Sequence, residues 1–161
     1  MPIRLIVKHP DEVLREKAKE VTKFNANLHK LLEDMAVTMY DADGVGLAAP
    51  QVGISKRVIV VDVGDEHGLI ELVNPTIVSM DGEQLGPEGC LSIPGLQGDV
   101  RRANHVVVEG QDRHGNPIKY EGTELLSRAF QHEIDHLEGV LFIDLAESVY
   151  EARKVLEQDE E

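Results

Sequence analysis

The stretch TELLSRAFQHEIDHLEG, residues 123–139, decides how the rest of the chain is read. Leu126, Phe130, Ile134 and Leu137 fall at helical spacing on one side. Leu125, Ala129, His132 and His136, separated by four, three and four, form a second stripe. Thr123 is the expected N-cap, and Gly139 the expected residue just past the helix C-terminus. A surface helix needs one apolar stripe. Two place this helix between layers, covered on both sides.

Residues four apart stack on one helix face. His132 and His136 therefore project together and can share one ion. Glu133 lies about 100° further round the helix, where it could reach a water on that ion without ligating it. That is the position of a general base in metal-assisted hydrolysis. The plainer reading keeps both histidines as hydrogen-bonded core residues and Glu133 as a solvated neighbour. H-E-x-x-H is short enough to arise by chance, so the surroundings have to decide. A catalytic metal site ordinarily has three protein ligands and one open position. Cys90, in GPEGCLSIPG, is the candidate third. A lone cysteine is often an inert buried residue, and only the fold can bring Cys90 to His132, which is 42 positions away.

Outward from this helix the hydrophobic period changes. Leu28, Leu31, Leu32, Met35, Ala36 and Met39 mark an amphipathic helix, with Asn25 as N-cap and an end near Gly44. A shorter N-terminal helix is expected over Asp11–Lys19. Arg57–Val63 and Leu69–Met80 are rich in Val and Ile and read as strands, and Asp81-Gly82 suggests a turn into a further strand. His105–Gln111 and Pro117–Glu121 flank a hairpin loop at Asp112–Asn116. A last helix is expected from about Asp144 to Leu156. The fold class is therefore α+β: mostly antiparallel strands around the 123–137 helix, with further helices towards both ends.

The bulk numbers fit that reading. At 161 residues the chain is expected to form a single domain, 1–161, with an acidic tail at about 157–161 that need not fold. Hydrophobic residues make up 42% and charged residues 29%, as in a soluble globular protein. There are no Trp, three Tyr and three Phe, so the core must be mostly aliphatic. A net charge of −14 argues against DNA, RNA or an anionic membrane as the main partner. One cysteine excludes an internal disulfide framework and fits a reducing compartment. The start, MPIRLIVKHPDE, has an apolar run too short for a signal peptide, so a cytoplasmic location is expected.

Three segments carry a closer resemblance. GVGLAAPQ (44–51), EGCLS (88–92) and QHEIDH (131–136) match, in order and separation, the three signature motifs of the bacterial peptide deformylases. KHPDEVLR, LVNP and HLEGVLFID look like the same family, and the likeness covers nearly the whole chain. The resemblance implies an amide hydrolase that removes the formyl group from the N-terminal formyl-methionine of new polypeptides, releasing formate. It implies Cys90, His132 and His136 as ligands of one metal per chain. That metal is expected to be Fe²⁺, with Zn²⁺, Ni²⁺ or Co²⁺ as substitutes. It implies Glu133 as catalytic acid/base, with Gln51 and the Leu91 backbone N–H as donors to the developing oxyanion. Gly46 is placed on the rim where the substrate backbone docks.

The residues add a physical account of the substrate side. A Gly-x-Gly turn is weak evidence by itself, and GVGLAAPQ could simply leave the preceding helix. Yet Val45 and Leu47 alternate as in a strand, and a peptide could add at such an edge through main-chain bonds, without sequence selectivity. Val45, Leu125 and Ala129 are then candidates for a methionine pocket. The expected partners are N-formylated nascent chains; the sequence carries no clue to ribosome contact or oligomeric state.

The chain departs from the family pattern around that rim. Close behind EGCLSIP, where many relatives carry a charged residue, this chain runs Gly95-Leu96-Gln97-Gly98-Asp99; Val100-Arg101-Arg102 replaces a common Val-Pro-Arg, and Arg128 stands where some members have an apolar residue. The Arg128 stem is expected to line the pocket while its guanidinium reaches water. Two other readings are a zinc endopeptidase of the H-E-x-x-H type and a non-catalytic protein with a structural metal.

Overall fold

The computed structural model describes residues 2–151. Five strands form one antiparallel sheet in the order β1-β2-β3-β6-β7: β1 Gly46–Ala48, β2 Val58–Val61, β3 Ile70–Asp81, β6 His105–Gln111 and β7 Pro117–Thr123. A second antiparallel sheet, β4-β5-β8, comprises β4 Gln84–Cys90, β5 Ile93–Arg102 and β8 Ser148–Glu151. Among the described residues three α-helices accompany the sheets: α1 Ala26–Asp41, α2 Glu124–Leu137 and the one-turn α3 Phe142–Leu145. The expected α+β class with antiparallel sheets is what the chain forms.

The strand β2, VIVV, is buried at all four positions because both faces of its sheet are covered. Ile59 and Val61 point to α2, packing in one cluster with Phe130, Ile134 and Leu137. Val58 and Val60 point the other way, into a cluster with Leu32, Met35 and Met39 of α1. Each fully buried Leu or Phe contributes about 1.5–3 kcal/mol, so the two helices are held chiefly by these faces. Asn25 caps α1 as expected, its side chain accepting from Leu28 N at 3.1 Å. α2 touches β1, β2, β3, β6 and β7 of the first sheet and β5 of the second. Its two-sided burial is thus real, with one exception. Leu125, in the first turn of α2, is 49% exposed. Thr123 has extended N-cap geometry but makes no side-chain cap bond. Gly139 takes the left-handed conformation (φ 77°) just beyond the helix.

The ends differ from expectation. Only Glu12–Arg15 forms a short 3₁₀ turn where a helix over Asp11–Lys19 was expected. The backbone beyond it is used elsewhere: Ala18 N donates to Leu137 O, and Lys19 N to Ser55 O. Of the helix expected over Asp144–Leu156, residues 152–156 lie outside the described residues. Before them the chain leaves α3 at Ala146 and pairs as β8 with Leu96–Asp99 of β5. Val149 and Tyr150 favour strand, and the unpaired edge of β5 gives the N–H and C=O groups of this segment partners. Asp81-Gly82 does lead into a further strand, with Gly82 at φ 70°, but β3 and β4 on either side of it lie in different sheets. Within β3, Asn74 (φ 52°) and Pro75 break the register with β6. Proline cannot donate to the ladder, and Asn74 instead binds Val21 N, Val21 O and Gln111.

Candidate metal centre

Cys90 ends β4, and the Cys90–Ile93 pairing makes Leu91-Ser92 the turn into β5. His132 and His136 lie on the side of α2 facing that turn, their rings 4.9 Å apart. The Cys90 Sγ is 3.3 Å from His136 Nε2, and the donor atoms of all three residues lie within 4.8 Å of one another. At ligand distances of ~2.0–2.3 Å, two donors on a tetrahedral ion sit ~3.5 Å apart. The sulfur and two imidazoles therefore fit one divalent ion, in mutual distance and in chemistry.

The histidine ring orientations support the same fit. His132 Nδ1 is 2.8 Å from Glu88 Oε1. Glu88 is a carboxylate, since it also accepts from both Arg102 and Arg128, so Nδ1 must be the donor. That fixes Nε2 as the ring nitrogen offered to an ion, which binds it in the neutral ring by displacing its proton. Burial works against the Glu88 charge, but Arg102 and His132 outweigh it and hold the carboxyl at about 2. Burial also opposes charge on His132, yet Glu133, Cys90 and Glu88 hold it well above the usual imidazole range. His136 is pushed the other way, well below that range, by burial and by the His132 charge beside it.

Glu133 is 4% exposed, and its Oε1 is buried with no hydrogen-bond partner. Burial pushes its carboxyl up to about 7. Its other oxygen lies against Gly46: a Cβ added there would sit 2.5 Å from Glu133 Oε2 and 2.9 Å from its Cδ and Cγ. Gly46 is needed for clearance, since its backbone is not in the left-handed region. The Gln51 amide is fixed at both ends: Oε1 accepts from Ala48 N at 3.0 Å, and Nε2 donates to Ser92 Oγ at 3.1 Å. The same Nε2 is 3.5 Å from Cys90 Sγ.

These groups open onto one cleft of about 520 Å³. Every residue expected at the site from sequence lines it except His136, which is 1% exposed. Ala129 is buried in its wall, whereas Val45 and Leu125 are 43% and 49% exposed at its mouth. Arg128 does not behave as expected. Its guanidinium turns inward, with a side chain only 8% exposed, and bonds Glu88, Gly86 O and Val100 O. Those buried acceptors, left without water, need a donor more than solvent does. Sequence reasoning also gave no role to Glu88. The signal was available, because Glu88 and Cys90 are two apart near the end of a strand and can share a face.

Fold and site together define an α+β protein with a buried histidine pair, a cysteine and a perturbed carboxyl around a candidate metal centre, as in metal-dependent hydrolases. The sequence profile of the polypeptide deformylase family matches residues 3–151. The peptide deformylase of Pelotomaculum thermopropionicum is 56% identical over 149 residues, covering 92% of this chain and 95% of its own. That of Caldanaerobacter subterraneus is 60% identical, covering 89% of each. A crystal structure of a peptide deformylase from Legionella pneumophila aligns with TM-score 0.87 at 47% identity, over 99% of this chain and 92% of that one. One from Synechococcus elongatus, in complex with actinonin, aligns with TM-score 0.86 at 44% identity, over 92% and 81%. This chain belongs to the polypeptide deformylase family, hydrolases that remove the formyl group from newly made polypeptides. The endopeptidase and structural-metal readings find no support in these likenesses.

Proposed function

We propose that Cys90, His132 and His136 hold one Fe²⁺ and that this centre hydrolyses the formamide of N-terminal formyl-methionine. Zn²⁺, Ni²⁺ and Co²⁺ suit the same mixed nitrogen–sulfur donors and serve as substitutes. When bound, the ion lowers the pKa of a water and polarises the formyl oxygen. The protein residues do the rest. Glu133 takes the proton from water as its oxygen adds to the formyl carbon, and a carboxyl poised near 7 is suited to that task. Gln51 Nε2 and the Leu91 N–H donate to the oxygen that becomes negative. Glu133 then passes the proton to the nitrogen as the C–N bond breaks, leaving formate and a free amine.

The edge strand β1 offers main-chain groups to the peptide, and Val45, Leu125 and Ala129 take the methionine side chain. We place the protein in the cytoplasm, acting on N-formylated nascent chains as a single domain. Among the described residues, no helix is long and apolar enough to cross a membrane. The observation that carries this reading is the convergence of Cys90 with the histidine pair beside a buried, unpartnered Glu133 oxygen. Its test is formate release from formyl-Met-Ala by protein purified anaerobically, with metal analysis of the same sample. Absence of formate from metal-loaded protein would refute it.

Two substitutions probe the walls of the cleft. Ala129→Trp fills the pocket and raises KM for formyl-Met peptides; one methylene in such a pocket is worth about 10–200-fold. An unchanged KM removes Ala129 from the pocket. Gly46→Ala displaces the Glu133 carboxylate, and a shift of that size lowers kcat about 10²-fold with KM little altered. A rise in KM alone would assign Gly46 to peptide docking instead.

A further inference from the structure

We propose that Arg128 is a positioning residue for His132: through Glu88 it fixes the carboxylate that orients the His132 ring, and so sets how tightly the centre keeps a divalent ion. The inference rests on the metal-centre reading above and adds to it a residue outside the ligand set. Arg128 lies four residues before His132 on α2, so the two side chains stack on one face and meet the same carboxylate. Arg128 reaches Glu88 Oε2 at 2.6 Å, and His132 Nδ1 reaches Oε1 at 2.8 Å.

The other partner of Glu88 is Arg102, whose fork takes Oε2 at 2.8 Å and Oε1 at 2.9 Å. Arg102 and Glu88 stand on the paired strands β5 and β4, so that pair belongs to the hairpin and moves with it. Tying the hairpin to the helix falls to other contacts. Arg102 reaches Asp135 of α2 at 2.6 Å, but Asp135 is 29% exposed at its side chain and the link is open to water. Arg128 makes the buried link. From the helix it grips Glu88 together with Gly86 O and Val100 O, which flank the carboxylate on the two strands. With Arg128 in place the carboxylate has donors on three sides and cannot rotate away from His132 Nδ1.

A second observation points the same way. The Arg128 Nη2 is buried without a partner, a state that an apolar side chain of the same volume would avoid. Retaining a guanidinium there makes sense if its other nitrogens do something a methionine could not.

The test is the zinc affinity of the full-length chain, measured by competition with a chromogenic chelator, for wild type, Arg128→Met and Arg128→Lys. Arg128→Met keeps the stem against the pocket wall and removes the clamp. It is expected to weaken zinc binding by about 10–100-fold, the usual effect of losing a partner behind a metal ligand. Arg128→Lys, with one compact donor group for three acceptors, is expected to weaken it less. A folded Arg128→Met protein with wild-type zinc affinity overturns the proposal. So does a changed KM with unchanged affinity, which would leave Arg128 as pocket wall only. If Arg128→Met does not fold, Arg128→Lys decides, and wild-type affinity there overturns it equally. A wild-type chain that binds no zinc fails the metal-centre reading itself, a result distinct from equal binding by wild type and variant.

Discussion

Glu133→Gln is expected to lower formate release by about 10²–10⁴-fold, the contribution of a placed general acid/base, while bound metal stays at the wild-type level. Glutamine has the shape of glutamate and fits beside Gly46, where any larger change would collide. It cannot accept a proton near neutral pH, so addition of water loses its base and the departing amine its acid. Metal analysis beside steady-state kinetics separates the two roles of this helix. Retained turnover would refute Glu133 as acid/base; loss of metal would make it a ligand or a support for one.

The same variant has a second readout in the metal-free protein. The folded carboxyl sits at about 7 and the unfolded one near its ordinary 4.5. Between these values the folded state holds a proton that the unfolded state has released. Stability therefore falls as pH rises from 4.5 to 7 and levels off above, by roughly 3 kcal/mol for such a shift. Glu133→Gln removes this slope, so its denaturation midpoint should gain on the wild type at pH 8 relative to pH 5. A parallel pH dependence in both proteins would show that Glu133 is not buried as an acid.

How much of this was legible in the sequence depended on which interactions were local. The two-stripe pattern of 123–137 and the capped helix from Asn25 follow from side-chain period alone, and both formed. His105–Gln111 formed with its expected bounds because three consecutive β-branched valines favour strand and the Asp112–Asn116 loop ends it. Over its described residues, the helix expected from Asp144 to Leu156 failed for the opposite reason. Ser148–Glu151 is strand because β5 offers an edge, a fact that appears only once β5 is folded. Arg128 failed in the same way. Snorkelling is the usual behaviour of an arginine beside a pocket, but Glu88 lies 40 residues earlier in the chain. The cysteine and the histidine pair were each weak signals from spacing alone. The motif resemblance joined them before the fold did, and the Cys90 Sγ to His136 Nε2 distance of 3.3 Å supplies the physical reason.

Cys90→Ser is expected to have the other large effect, and on a different quantity. A serine hydroxyl is far less acidic than a thiol and gives a metal a hard, neutral oxygen in place of a soft anion. Zinc affinity should therefore fall by more than the ~10–100-fold expected of an outer partner such as Arg128, and formate release should fall with it. Folding should suffer little, because Cys90 is only half-buried and the replacement is smaller by a fraction of an atom's radius. Circular dichroism at wild-type level with metal lost is the expected combination. The order of the three variants is then informative. Glu133→Gln keeps metal and loses turnover, Arg128→Met weakens metal, and Cys90→Ser loses both. Should Cys90→Ser remain metal-loaded and active, the sulfur is a bystander and the ion must be held by other groups, which would displace Glu133 and Gln51 from their assigned roles as well.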